Sequence, residues 1–467
     1  MDPQVVITQQ LSFIQNGSTP FEVLAACRVG DGILAFTEEQ KDQFRQLAKA
    51  KAPEVTYFVP ASGSGSRMFE FLLEFTQFPN PENSQKAARF FSRLPEFALF
   101  RKLPTELKRA YFSGTLQLET LIEHLLGETG LNYAKTPKGL IPFHTHEPFV
   151  LNPFQEHIIQ ASNLSLKACN FHFTIQQEFE MDFIQAIHDL EALTLQKYAV
   201  NFSTQDSATD AYVFKSDGSL LLASNGQPVR RPAGHGTLLG NLQALQTPYV
   251  LVKNIDNVQH FTQQEASNQN WEFLLGLQLQ IQADLKAFIA DNDFAGLCRW
   301  NDIMGLFDPQ FLSSLVDHHW HALLNRPLRV CGMVRNDGQP GGGPFFISKN
   351  GIKSKQIIEK SQLIHLSNAS QLLLQSTHFN PVLMVLSPCD LSGHVHDLQK
   401  FRDADTCFVV EKNHKGQKVK FVEQPGLWNG AMANWNTLFV ELPSPIFSPV
   451  KSVIDLLENA HLTNKAD

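Results

Sequence analysis

No apolar run in this sequence approaches the roughly 20 residues that a membrane-spanning helix needs. The opening residues, Met1-Asp2-Pro3-Gln4, also lack a basic stretch leading into an apolar one. A membrane protein and a signal-bearing secreted protein are therefore not expected, and a cytoplasmic location is. Positive charge is not in excess either. With 38 Lys plus Arg against 46 Asp plus Glu, the net charge is −8. No global basic field exists to hold nucleic acid non-specifically, so an anionic ligand must be met by local groups. The six cysteines, Cys27, Cys169, Cys298, Cys331, Cys389 and Cys407, contain no Cys-x-x-Cys pair and no short framework. That spacing argues against a disulfide scaffold or zinc ribbon and for small buried hydrophobes. Internal repeats and low-complexity tracts are absent. Tyrosine is scarce, 6 against 37 Phe, which has no functional explanation.

What is present is enough apolar material, 43% of 467 residues, for a sizeable core. Length suggests one large domain with insertions or two to three smaller ones. Residues 1–52 read as a mainly helical segment. Val55-Thr56-Tyr57-Phe58-Val59 is a β-branched and aromatic run ending at Pro60, the pattern of a buried strand running into a turn. Further strands are expected at Asn170 to Thr174, Tyr249 to Lys253, Leu328 to Val334, Val382 to Ser387 and Cys407 to Glu411, separated by segments long enough for crossover helices. Helical insertions are expected near 70–130 and 264–325, and a final helix from Pro449 to Asn464. The fold class is thus α/β, a Rossmann-like, mixed and mostly parallel sheet. The main domain covers 53–390 and a C-terminal extension covers 391–467.

The most informative segment, Ser62-Gly63-Ser64-Gly65-Ser66-Arg67, lies between an expected strand and an expected helix. Glycines there let the backbone turn and aim N–H groups at an anion, aided by the helix dipole. A dinucleotide fingerprint would need a third glycine where Met68 stands, and no Walker Lys-Ser/Thr follows. Arg67 instead supplies a permanent forked cation suited to a triphosphate. A tight turn bearing a surface arginine has the same sequence. In Thr136-Pro137-Lys138-Gly139, a lysine stands on a stiff turn, fit to grip phosphate with little ordering entropy or simply to face solvent.

Ala-Ser-Gly-x-Gly-Ser-Arg-Met, then Pro-Lys-Gly-Leu and Phe154-Gln155-Glu156-His157-Ile158, resemble the Gly-rich loop, Pro-Lys turn and first helix of nucleotide-diphospho-sugar transferases. The sugar-1-phosphate uridylyltransferases are the nearest comparison. The likeness continues in order through Arg231-Pro232-Ala233-Gly234-His235-Gly236-Thr237, Lys253-Asn254-Ile255-Asp256-Asn257 and Ile357-Ile358-Glu359-Lys360-Ser361. The full pattern, with Pro340 to Phe345, Ser376 to Pro381 and Gly426 to Met432, resembles an uncharacterised bacterial family of that superfamily.

This resemblance implies transfer of a nucleotide, UMP favoured, from a nucleoside triphosphate to a sugar-1-phosphate. Arg67 and Lys138 would be catalytic, and Ser62, Gly63, Ser64, Gly65 and Ser66 would hold the triphosphate. Gly234, His235 and Gly236 would hold the base, Glu359 and Ser361 the sugar, and Asp256 a Mg²⁺ ion. Asp256 reads equally as an Asx turn, and Gly234 to Gly236 as an ordinary glycine turn. The chain departs from the pyrophosphorylases in having Ser62-Gly63 for Gly-Gly and Ser66-Arg67-Met68 for Thr-Arg-Leu. Asp390 is the candidate second metal ligand, and without one the chain reads as an inert nucleotide-sugar binding or regulatory protein. Asp403-Ala404-Asp405 matches a glycosyltransferase Asp-x-Asp, but it lacks the preceding strand. The pairs His144/His146 and His394/His396 have strand-face spacing for zinc but no partner half, and Asp317-His318-His319 falls in a helical stretch.

Overall fold

The computed structural model describes residues 2–16, 21–315, 319–338, 341–363, 366–414 and 417–462. The protein is mixed α/β with a mostly parallel sheet. The chain divides into two compact units that interleave in sequence. The first holds 1–55, 205–252 and 273–444; the second holds 56–204, 253–272 and 445–467.

In the first unit the strand order is Arg28–Val29, Gly32–Leu34, Asn436–Glu441, Leu328–Arg335, Leu383–Ser387 and Val250–Lys253. The first four neighbours are parallel and Leu383–Ser387 runs antiparallel. A separate antiparallel sheet joins Glu22–Ala26 to Gly343–Lys349 and Ile352–Ile358. Residues 1–52 therefore hold not only the helices Pro3–Asn16 and Glu38–Lys51 but three short strands that the sequence reading lacked. Strands of two to five residues carry too little periodicity to announce themselves; their register is fixed by distant partners. Gly343 opens a regular strand, whereas Pro340 lies outside the described residues.

In the second unit Glu54–Pro60, Ala168–Ile175 and Val200–Thr204 lie side by side, the last two parallel. Tyr57, Phe58 and Val59 are fully buried, as expected of a strand covered on both faces, and Pro60 ends it by lacking an N–H to donate. The helical insertion forms a phenylalanine-rich core of its own, in which Phe69, Phe71, Phe90, Phe97, Phe100 and Phe143 pack with Leu94, Leu121 and Leu125. Val450, Val453, Leu456 and Leu457 from the C-terminal segment join the same core. That segment is not the expected α-helix but two short 3-10 turns, Val453–Leu457 and Asn459–His461.

Candidate functional site

In the second unit the Gly-rich loop and the Pro-Lys turn are tied backbone to backbone. Gly65 N–H donates to Thr136 O at 2.9 Å and Lys138 N–H donates to Gly63 O at 3.0 Å. Gln176 anchors the loop's start by donating to Ser62 O at 2.8 Å, and the Ser64 and Ser66 hydroxyls are 2.8 Å apart. Neither glycine needs a left-handed backbone. A Cβ on Gly65 would fall 2.1 Å from Ile141 Cδ1, whereas one on Gly63 would meet nothing within 4 Å. Packing thus explains Gly65, while Gly63 leaves open space. Arg67 begins the turn Ser66–Phe69 and is exposed.

The Lys138 ammonium donates to Asp256 Oδ2 at 3.1 Å and to Val450 O at 3.0 Å. Lys451 donates to the same Oδ2 at 2.8 Å. The backbone supports this convergence, since Val450 N–H donates to Asp256 O at 2.9 Å. Burial pushes the Asp256 carboxyl up, but the two ammonium groups outweigh it and hold the carboxyl below its usual range. For Lys138, burial lowers the ammonium, Asp256 opposes this, and the charges of Lys451 and Arg67 lower it further. Two cations, Lys138 and Lys451, thus share one carboxylate beside the loop, and the charge of Arg67 is felt at Lys138. Lys451 was missed by sequence reasoning. It stands 195 residues from Asp256 in a segment expected to be helical, and no local motif marks it.

Helix Pro153–Ser162 orders the floor of this cluster. It starts with a capping box of Asn152 and Gln155 and a proline in its first turn. From it, His157 Nε2–H donates to Ile255 O at 3.1 Å and Nδ1 accepts from the Tyr57 hydroxyl at 3.2 Å, which fixes the residue before Asp256. Burial lowers His157 to about 3, so the ring is neutral as this bonding requires. The preceding residue, Glu156, contacts His144 Nδ1 at 2.7 Å and accepts from Gln264 at 3.0 Å, while His144 Nε2 meets His461 Nδ1 at 3.0 Å. Burial drives Glu156 up to about 8 and His144 down to about 3, leaving a hydrogen bond between neutral groups. This network pins the C-terminal segment that carries Lys451.

In the first unit, Gly234 has φ +77°, and a Cβ there would strike Glu423 Oε2 at 2.5 Å; on Gly236 it would strike Pro425 O at 2.0 Å. Gly234 is explained by its left-handed backbone and Gly236 by close backbone packing. The His235 ring stacks on Trp428 at 5.1 Å, and its Nδ1 accepts from Leu427 N–H at 3.0 Å. Burial lowers His235 to about 4. Glu359 is half-buried; burial raises its carboxyl and a hydrogen bond from Asn429 offsets part of that. Ser361 belongs to helix Lys360–Leu363, but its side chain lies outside the described residues.

Other candidates are committed elsewhere. Asp390 Oδ1 accepts from Ser392 and His394 N–H at 2.8 and 2.9 Å, and its Oδ2 faces His394, so the carboxylate caps a turn. Asp403 and Asp405 both hold Lys349, at 2.6 and 3.3 Å. His144 belongs to the buried network while His146 meets Phe261 edge to face, and His396 bonds Asn325 O at 2.6 Å. Asp317 and His318 lie outside the described residues. Among the described residues no group of three or more His, Cys, Asp or Glu is arranged to hold a metal. Asp256 offers one carboxylate, already bonded twice by ammonium groups, so the residues present do not form a preorganised magnesium site. No helix among the described residues is long and apolar enough to cross a membrane.

With this geometry in view, comparison with known proteins assigns the chain to a family. A family model described as a domain of unknown function, DUF4301, matches residues 2–462, and the chain belongs to that family. No curated protein matches it. Among solved structures it is similar to the uridine diphosphate N-acetylglucosamine pyrophosphorylase from Trypanosoma brucei, at 12% identity and a TM-score of 0.49, over 97% of this chain and 74% of that one. It is also similar to the UDP-glucose phosphorylase from Trypanosoma brucei, at 13% identity and a TM-score of 0.46, over 97% and 74%.

Proposed function

We propose that this protein transfers a nucleotide, with UMP favoured, from a nucleoside triphosphate to a sugar-1-phosphate. A sugar-phosphate oxygen attacks the α-phosphorus in line; the new P–O bond forms as the bond to the β-phosphate bridging oxygen breaks, and pyrophosphate leaves with that electron pair. Such a reaction asks the protein for positioning and charge stabilisation rather than covalent chemistry. The observation that carries this reading is the convergence of Lys138 and Lys451 on the single carboxylate of Asp256, with the charge of Arg67 felt at Lys138, next to the open space at Gly63.

In this reading the amides and hydroxyls of Ser62 to Ser66 cradle the triphosphate, and the three cations gather charge on the leaving pyrophosphate. Gly234, His235 and Gly236 would border the base, with the imidazole already backed by Trp428. Glu359 and Ser361 would meet the sugar. Mg²⁺ would enter only as an ion carried by the nucleotide. The six unpaired cysteines agree with a cytoplasmic setting.

A second reading, an inert nucleotide-sugar binder, is favoured by Asp390 being spent on its own turn. One assay separates the two. Pyrophosphate release is followed with each nucleoside triphosphate and a panel of sugar-1-phosphates, beside an Arg67→Ala control. Turnover that needs both substrates and collapses in the control supports the transferase. Nucleotide binding with no pyrophosphate across the panel selects the binder, and no binding at all sinks both.

A further inference from the structure

A cavity of about 750 Å³ lies within the first unit, walled by residues 30–34, 301–309, 352–356 and 433–437 among others. It shares no lining residue with Gly234 to Gly236, Glu359 or the Gly-rich loop. Much of its wall is apolar, including Ile33, Leu306, Phe307, Leu323 and Trp435. The volume is in the range that encloses small organic ligands.

Lys355 and Arg326 in this wall have no acidic side chain bonded to them among the described residues, although Asp31, Asp302, Asp308 and Asp403 line the same cavity. Lys355 is only 8% exposed and its ammonium makes no hydrogen bond among the described residues; it lies 5.9 Å over the Phe439 ring, with the thiols of Cys27 and Cys331 nearby. Burial brings it down to about 8. Arg326 is also half-buried, and its guanidinium donates to no described group. Lys349 in the same wall shows the ordinary arrangement, held by Asp403 and Asp405. Burying a cation without a partner is costly, and folds retain such groups where a ligand supplies the missing charge.

We propose that this cavity is a second ligand site, which takes a small organic oxyanion, a carboxylate or a phosphate monoester, on an apolar body. Lys355 and Arg326 meet the oxyanion through charge-assisted hydrogen bonds, and the apolar wall covers the body. The site is independent of the proposed transferase reaction.

Calorimetric titration of the full-length protein with benzoate, phenyl phosphate and uncharged benzyl alcohol tests it. At least one of the two anions should bind, and the tighter one tells carboxylate from phosphate. Lys355→Met and Arg326→Gln should each weaken that anion by about tenfold or more and leave benzyl alcohol unchanged. Should Lys355→Met fail to fold, the half-buried Arg326→Gln carries the test. The proposal is overturned if neither anion binds, if both variants bind like the parent, or if phenyl phosphate binding is lost in Lys138→Met but kept in Lys355→Met.

Discussion

Ser62-Gly63-Ser64-Gly65 and Ala233-Gly234-His235-Gly236 look like two versions of one device, yet their surroundings differ. Gly65, Gly234 and Gly236 are each demanded by the fold, because an added Cβ would come within 2.1, 2.5 and 2.0 Å of a neighbour. Gly63 alone has neither a left-handed backbone nor a neighbour within 4 Å of the added atom. A glycine that the protein does not require leaves room for something else. The contrast separates glycines whose missing side chain leaves room for neighbouring protein atoms from one that lets a ligand approach, a distinction invisible in the sequence.

The sharpest way to break this comparison is Gly236→Ala. The new methyl would stand 2.0 Å from Pro425 O, a backbone atom that cannot swing away. A loss of about 3 kcal/mol in denaturant unfolding is expected, and a loss under about 0.5 kcal/mol would show that the segment adapts and that its glycines mean something else. Next comes the titration of His235. Its folded value of about 4 lies below the ordinary 6.5, so between pH 4 and 6.5 the unfolded chain binds the extra proton. Stability from this group is complete above 6.5 and drains away as pH falls toward 4, at up to about 1.4 kcal/mol per pH unit. His235→Gln should flatten the pH dependence of unfolding in that window by one proton. An unchanged slope would mean that the ring is not held neutral against Trp428.

The same contrast explains what the sequence could and could not disclose. Strands such as Glu54–Pro60 and Leu328–Arg335 were legible because they are long and apolar on both faces, which is a local signal. The loop, Lys138 and Asp256 were legible as motifs, and two backbone bonds join the first two segments. Lys451 was not, because its place depends on Val450, Val453 and Leu456 packing into a core assembled from residues over 300 positions earlier. Nor was the commitment of Asp390 to His394, since an Asx turn and a metal ligand share one residue type. Local pattern discloses elements and candidate ligands; which charges are already answered is decided by tertiary contacts.

Smaller effects are expected where charge meets nucleotide. Arg67→Met and Lys451→Met should each weaken nucleoside triphosphate binding by about tenfold while leaving stability within about 0.5 kcal/mol, since Arg67 is exposed and the Lys451 side chain is 52% exposed. Equal binding by Lys451→Met would confine that lysine to a structural tie on Asp256.

The smallest expected change in stability, and the one that bears most directly on the comparison, belongs to Gly63→Ala. Its backbone is compatible with alanine and the new methyl meets no protein atom, so unfolding should shift by no more than about 0.5 kcal/mol, and a slight gain would follow from the stiffer unfolded chain. Nucleotide affinity, measured on the same sample, should fall, because the methyl would occupy the space through which a phosphate approaches the loop amides. Undiminished affinity in a stable variant would mean that the opening at Gly63 is surface and not cradle. The phosphate would then have to be gripped by the cations around Asp256 alone.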